Sequence, residues 1–200
     1  MSKDTPAKLI DAAVILFAKK GFSTVTIREV AEASSANSAL ISYHFGGKEG
    51  LYRAVLEQQF AEVGRALLSV STQNERPLDR IATFAWAIIN LHQTNPYLLR
   101  LVNAELSTPT PSFKEVVKLY IGRNFEFICQ AIREGIEVGE IKKEIQPEYA
   151  ALALAGIINF YFLAKPLEQQ FVTMNSDSDS EYGKQAIQIY LNGIRRNGSE

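Results

Sequence analysis

The chain has 200 residues, 46% hydrophobic and 22% charged, the composition of an ordinary globular protein with room for one or two cores. Its formal net charge is −1, so no chain-wide basic field marks a nucleic-acid binder. A single cysteine, Cys129, excludes an internal disulfide, and two histidines, His44 and His92, leave no common zinc site; no metal and no cofactor are expected.

Periodicity is helical nearly throughout. Thr5 before Pro6 reads as an N-cap with an N1 proline, and Leu9, Ala13, Leu16 and Phe17 form one stripe that Gly21 closes. Thr26 and Glu29 then form a T-x-x-E capping box, with Ile27, Val30 and Ala31 on one face. Ala33 to Ala36 breaks the pattern, and Asn37 is a second N-cap candidate. Beyond it Ile41 and Phe45 share a buried side, leaving Ser38, Ala39, Ser42 and Tyr43 outside. Two short helices joined by a tight turn are the anatomy of a helix-turn-helix, whose second helix enters a DNA major groove.

Lys48 starts a long helix through Leu51, Val55, Leu56, Phe60, Val63 and Leu67, which runs to a polar break at Ser71–Arg76. Pro77 opens another to about Thr94, and Asn95-Pro96 starts a shorter one through Leu106. The run Ser107-Thr108-Pro109-Thr110-Pro111 is a breaker. A long helix is expected from about Ser112 to Val138, closed by Gly139. Pro147 begins an apolar helix whose uncharged run, Tyr149 to Ala164, is sixteen residues long. A membrane span needs roughly 20, so this run reads as a buried helix and no membrane partner is expected. Asn175 to Ser180 reads as a polar, mobile loop before a last helix from about Ser180 to Arg196. The expectation is an all-α chain of about nine helices: a helix-turn-helix unit over 1–46 and a larger body over 47–200. The N-terminus has no apolar signal stretch, since Asp11, Lys19 and Lys20 interrupt it, and a cytoplasmic location is expected.

The combination T-x-x-E-V-A at Thr26–Ala31, Tyr43-His44-Phe45, and G-x-K-E-x-L from Gly46 to Leu51 resembles the TetR family of bacterial repressors. The likeness covers residues 5 to about 60; beyond that it is architectural. It implies a homodimer on a double-stranded DNA operator, released by a small-molecule effector of unknown identity. Two positions depart from the family pattern. Ser35 stands where a turn glycine is usual, which requires that the backbone avoid φ > 0 or accept strain. Leu40 stands where a small or polar residue is more usual, and facing DNA it would meet a thymine methyl.

By resemblance and geometry, Asn37, Ser38, Ala39, Leu40 and Ser42 are expected at the groove, with Tyr43, His44, Lys48, Thr26 and Arg28 on phosphates. Two readings stand for Tyr43, a phosphate contact or a cap on the domain core. An effector pocket implied by the resemblance would draw on Phe84, Trp86, Tyr120, Phe127 and Phe160 as walls. Asn90, His92, Asn103, Asn124 and Asn159 would supply its sparse polar groups. For dimerisation, Leu152, Ala155 and Gly156 on the apolar helix would pair with the stripe Ile187, Tyr190, Leu191 and Ile194 on the last one. No Ser-His-Asp arrangement, glycine-rich phosphate loop or metal cluster supports an enzyme, and no catalytic residue is named.

Overall fold

A computed structural model describes residues 5–70, 76–168 and 177–196. Among them run nine α-helices: α1 (Thr5–Lys20), α2 (Ile27–Ala33), α3 (Ala39–Phe45), α4 (Lys48–Val70), α5 (Pro77–Thr94), α6 (Leu98–Ser107), α7 (Lys118–Glu137), α8 (Pro147–Glu168) and α9 (Ser178–Ile194). No strand occurs among the described residues beyond one isolated bridge between Ile141 and Arg195. The all-α expectation therefore holds, with three local differences. The helix expected from Ser112 opens instead as a π-helical turn, Phe113–Val117, before α7. Ser178 to Ser180, expected in a loop, form the first turn of α9 after Asp177. The expected break over 71–75 and the start of the expected loop at 175–176 lie outside the described residues.

Contacts divide the chain into two compact units. The first holds residues up to Glu62 together with Asn95–Tyr120, and the second holds Val63–Thr94 and everything from Ile121. The helix-turn-helix thus shares its unit with most of α4, with α6 and with the π-turn, a wider grouping than a boundary at residue 46.

In the first unit, Leu9, Ala13, Phe17, Val25, Val30, Ile41, Leu51, Tyr52 and Val55 are shut off from solvent. Phe17, Phe22 and Tyr52 meet as an aromatic trio, with ring centroids 4.8 to 6.0 Å apart. Helix α6 packs on α1 and carries Glu105, which is 1% exposed. A carboxylate at that depth needs donors on its oxygens. Thr110 supplies its backbone amide at 3.0 Å and its hydroxyl at 2.9 Å. The Tyr52 hydroxyl adds a third bond; burial first, and this bond second, push the phenol above its ordinary range. Asn95 ties the start of α6 to α4, donating to Gln59 and Glu62 at 2.9 Å each.

In the second unit α5, α8 and α9 pack pairwise around Ile81, Ala85, Ile89, Leu154, Ile158, Ile187 and Tyr190, with Cys129 and Ile132 from α7. Gly183 lets α9 approach α5, since a Cβ there would meet Ile89 at 2.9 Å and Trp86 at 3.0 Å. The Tyr190 hydroxyl donates to the Ala150 carbonyl at 2.9 Å. The end of α9 is tied to the α7–α8 connection, with Lys142 N–H on Ile194 O at 3.0 Å and Arg196 N–H on Glu140 O at 2.9 Å. Helix α8 is long and apolar enough to cross a membrane by composition, yet only 28% of its Pro147–Lys165 stretch is buried. Its inner face, Ala150, Ala151, Leu154, Ile158 and Tyr161, meets the core. Its outer face leaves Tyr149, Leu152 and Phe160 in solvent at 69, 59 and 71% exposure. The buried-helix reading therefore holds for one face and fails for the other.

Candidate nucleic-acid interface and sensing body

The capping box closes as the sequence demands. Thr26 Oγ1 accepts from the Glu29 amide at 3.2 Å, while Glu29 Oε2 accepts from the Thr26 amide at 2.7 Å and from its hydroxyl at 2.9 Å. Lys20 adds an ion pair to the other Glu29 oxygen at 2.7 Å. The Lys20 hydrogen bond first, then the two from Thr26, hold the Glu29 carboxyl at about 2. Both Thr26 donors are thereby engaged within the box.

Helix α2 ends in a Schellman turn: Ala36 N–H reaches Ala31 O at 2.9 Å and Ser35 N–H reaches Glu32 O at 3.1 Å. Such a turn needs a left-handed residue after the cap, and Ser35 supplies it at φ = 53°. It is the one non-glycine with positive φ among the described residues. Of the two outcomes open to this position, the chain accepts the strain.

Asn37 Oδ1 then accepts from the Ala39 amide at 2.8 Å, capping α3. Ile41 is fully buried and pins α3 to the core, so the face carrying Asn37, Ser38, Ala39, Ser42 and Tyr43 points outward, with Leu40 half-buried beside it. Tyr43 is 75% exposed, which disposes of the core-cap reading. Arg28 is exposed on α2. His44 behaves otherwise: it is half-buried, and its Nε2 faces inward with no hydrogen-bond partner. Lys48 donates to Ser23 O at 3.1 Å and lies over the Phe22 ring, 4.7 Å from its centroid. The α3–α4 junction passes through Gly46 at φ = 74° and Gly47 at φ = 124°. Gly50 follows, where any Cβ would strike the Phe45 carbonyl. Sequence spacing identifies the capping residues; it gives no sign of the Phe22–Lys48 contact or of Gly50, which depend on how helices cross.

Of the ten residues expected around an effector, two lie in the first unit and eight in the second. Asn103 and Tyr120 belong to the first unit, where Tyr120 stacks on Phe60. Phe160 is on the solvent face of α8, and Asn90 is exposed on α5. Two pairs do meet in the second unit. Phe84 lies against Phe127 with centroids 5.6 Å apart, and His92 Nε2 donates to Asn159 Oδ1 at 2.9 Å. Burial outweighs that bond and lowers the His92 pKa, so the ring is neutral near pH 7, with a buried Nδ1 left unpartnered. Asn124 Oδ1 is likewise buried without a partner, and Trp86 is 38% exposed. A groove of about 440 Å³, lined by Arg80, Arg123, Glu126, Phe127 and Gln130, opens along α7. Among the described residues no group of three or more His, Cys, Asp or Glu could hold a metal.

On α8, Leu152, Ala155 and Gly156 are exposed and continue the outward face to Phe160. The α9 stripe points the other way: Ile187, Tyr190 and Ile194 are 5 to 6% exposed in the chain's own core, and Leu191 is half-buried. Ile189, at 69%, is the large apolar residue that α9 turns outward.

A short capped helix, a tight left-handed turn and a second helix with a small, polar outer face, set on a larger helical body, define a helix-turn-helix DNA-binding regulator. The model for bacterial regulatory proteins of the tetR family matches residues 9–55. The probable HTH-type transcriptional regulator YttP of Bacillus subtilis (strain 168) is 30% identical, over 99% of this chain and 97% of its own length. The HTH-type transcriptional repressor NicS of Pseudomonas putida is 25% identical, over 96% and 93%. AibR, solved in complex with isovaleryl coenzyme A and operator DNA, superposes with a TM-score of 0.77 at 14% identity, covering 92% of this chain and 97% of that one. The chain belongs to the TetR family of bacterial transcriptional regulators. It is a DNA-binding regulator and not an enzyme.

Proposed function

We propose that the protein is a cytoplasmic, homodimeric repressor that binds a palindromic operator and leaves it when a small, largely apolar effector occupies the body. The observation that carries the reading is α3 itself: Ile41 is fully buried while Ser38, Ala39, Ser42 and Tyr43 stand in solvent. Small groups on that face let the helix come close to base edges, and Leu40 offers an apolar contact for a thymine methyl. Tyr43 and Arg28 are the side chains free to reach phosphates and set the register. The repressor NicS supports the direction, and AibR, solved with both isovaleryl coenzyme A and operator DNA, supports a body that takes a small ligand.

Residues 1–46 serve as the DNA-reading module and 47–200 as the sensing and dimerising body in this reading. The outer face of α8, with Leu152, Gly156 and Phe160 one turn apart, is the dimer surface, joined by Ile189 of α9. A two-fold dimer would place its recognition helices in successive major grooves, roughly 34–36 Å apart. Random-site selection followed by mobility shift, with and without metabolite extract, tests this. A palindrome lost on adding extract is the expected result; no DNA preference at moderate salt would overturn it.

A further inference from the structure

Lys48 sits where the G-x-K-E-x-L pattern suggests a phosphate contact, and in the DNA-free chain its ammonium has partners of its own. The ammonium donates to Ser23 O at 3.1 Å and rests over Phe22 at 4.7 Å, and the side chain is half-buried. A cation over an aromatic face and on a carbonyl has traded part of its hydration for fixed partners. Phe22 in turn packs against Tyr52 of α4 and Phe17 of α1, with tilted rings whose centroids are 4.8 and 6.0 Å away. The contact therefore joins the first residue of α4 to the α1–α2 turn, which begins at Gly21 with φ = 79°. That turn leads straight into the Thr26 cap of α2.

The recognition helix needs such a tie. It enters α4 through Gly46 and Gly47, two residues in backbone conformations that side chains do not stabilise. Ile41 fixes one side of α3, and the close passage of Gly50 beneath the Phe45 carbonyl fixes its end. The Lys48 bridge locks the α4 start to the turn that carries α2, so the two helices of the motif share one frame.

We propose that Lys48 is a positioning residue that holds the α1–α2 turn onto α4 and sets the angle of the recognition helix, rather than a phosphate ligand. The inference rests on operator binding by this unit, and one of its readouts needs no DNA. Lys48→Met keeps the apolar stem and removes the donor and the charge. On a selected operator, affinity is expected to fall about tenfold, the effect of one charge-assisted hydrogen bond. The plot of log affinity against log salt should stay parallel to that of the unaltered protein. A phosphate ligand would instead lower the slope by about 0.9. A cycle with Phe22→Leu should be non-additive, because both changes break one bridge; independent phosphate contact predicts additivity.

In the free protein, hydrogen exchange at the Val25 amide, which donates to Gly21 O at 3.4 Å, should quicken about tenfold in Lys48→Met. Lys48→Arg, which retains charge and donor, should restore exchange and affinity together. A slope lowered by half a unit or more, an additive cycle, unchanged affinity, or unchanged Val25 exchange would each overturn the assignment. Failure of the unaltered protein to select DNA would instead sink the operator reading, leaving the exchange result to judge the bridge.

Discussion

Ser35→Gly should make this protein more stable. Ser35 lies at φ = 53°, in the left-handed region, and two backbone hydrogen bonds of the turn, Ala36 to Ala31 and Ser35 to Glu32, hold it there. A residue with a Cβ pays about 1–2 kcal/mol for that conformation, and glycine does not. Glycine returns part of the gain by widening the unfolded ensemble, at about 0.4–1 kcal/mol. The net is a stabilisation of about 0.5–1 kcal/mol. For a chain of this size each kcal/mol moves the melting temperature by about 2–4 °C, so a rise of roughly 1–4 °C is expected by circular dichroism. Ser35→Val sets the other arm, because a β-branched side chain suits this region worst, and it should fall below the unaltered protein. The order glycine, serine, valine is the result the reasoning requires. A Ser35→Gly melting temperature equal to or below that of the unaltered protein would mean that the left-handed turn carries no strain.

Gly50→Ala should destabilise the first unit by about 2 kcal/mol or more, since its Cβ runs into the Phe45 carbonyl, a backbone group with nowhere to go; loss of operator binding and a lower melting temperature should appear together. Glu105→Ala strands the Thr110 amide and the Tyr52 hydroxyl in a buried site and should cost about 3 kcal/mol, whereas Tyr52→Phe should cost about 1, both read by urea denaturation. Glu29 should titrate at about 2 by carboxyl NMR, against 4.5 for the free group. Because its folded pKa is depressed, the capping box contributes its stability above pH 4.5 and loses it as the pH falls toward 2; a midpoint above 4 would contradict the paired geometry. His92, also depressed, has the corresponding window on the imidazole scale: stability is whole above its ordinary 6.5 and declines below it as the unfolded ring takes up protons, which His92→Gln should remove from the pH profile of unfolding.

How much of this was legible depended on the range of the interaction. Thr26 to Glu29, the Asn37 cap and the closure by Gly21 are local, and residue order alone specifies them. The α3 face was equally legible, because one buried isoleucine with its neighbours sets the phase of a helix. The Lys48 contact is not legible, since its partner Ser23 lies 25 residues away across a turn and the G-x-K-E-x-L pattern points to DNA instead. Glu105 is hidden from the sequence for the same reason: nothing nearby announces a buried carboxylate, and its partners Tyr52 and Thr110 come together only when α6 folds back beside α4 within the first unit. Aromatic and amide side chains on amphipathic helices serve core and surface alike, so residue type alone does not say which of them would face an effector. Among the described residues Phe84 lies against Phe127, and His92 is hydrogen-bonded to Asn159.

The last two helices show why a hydrophobic stripe cannot by itself be assigned to an interface. The stripe on α9 is clean at helical spacing, and it is consumed inside the subunit: Ile187, Tyr190 and Ile194 are nearly closed to solvent, and Tyr190 also satisfies the Ala150 carbonyl. The residues left over on α9 are mostly polar, with Ile189 the exception. Helix α8 is apolar all round, so one face suffices for the core and the other is surplus. Soluble proteins rarely leave large apolar groups such as Tyr149, Leu152 and Phe160 together in water without a partner. Alanines and Gly156 between them leave the backbone open to close approach. The physical discriminator is therefore surplus: a helix that carries more apolar surface than its own fold can cover is the candidate for an interface, and in the dimer proposed above that condition falls on α8 far more than on α9.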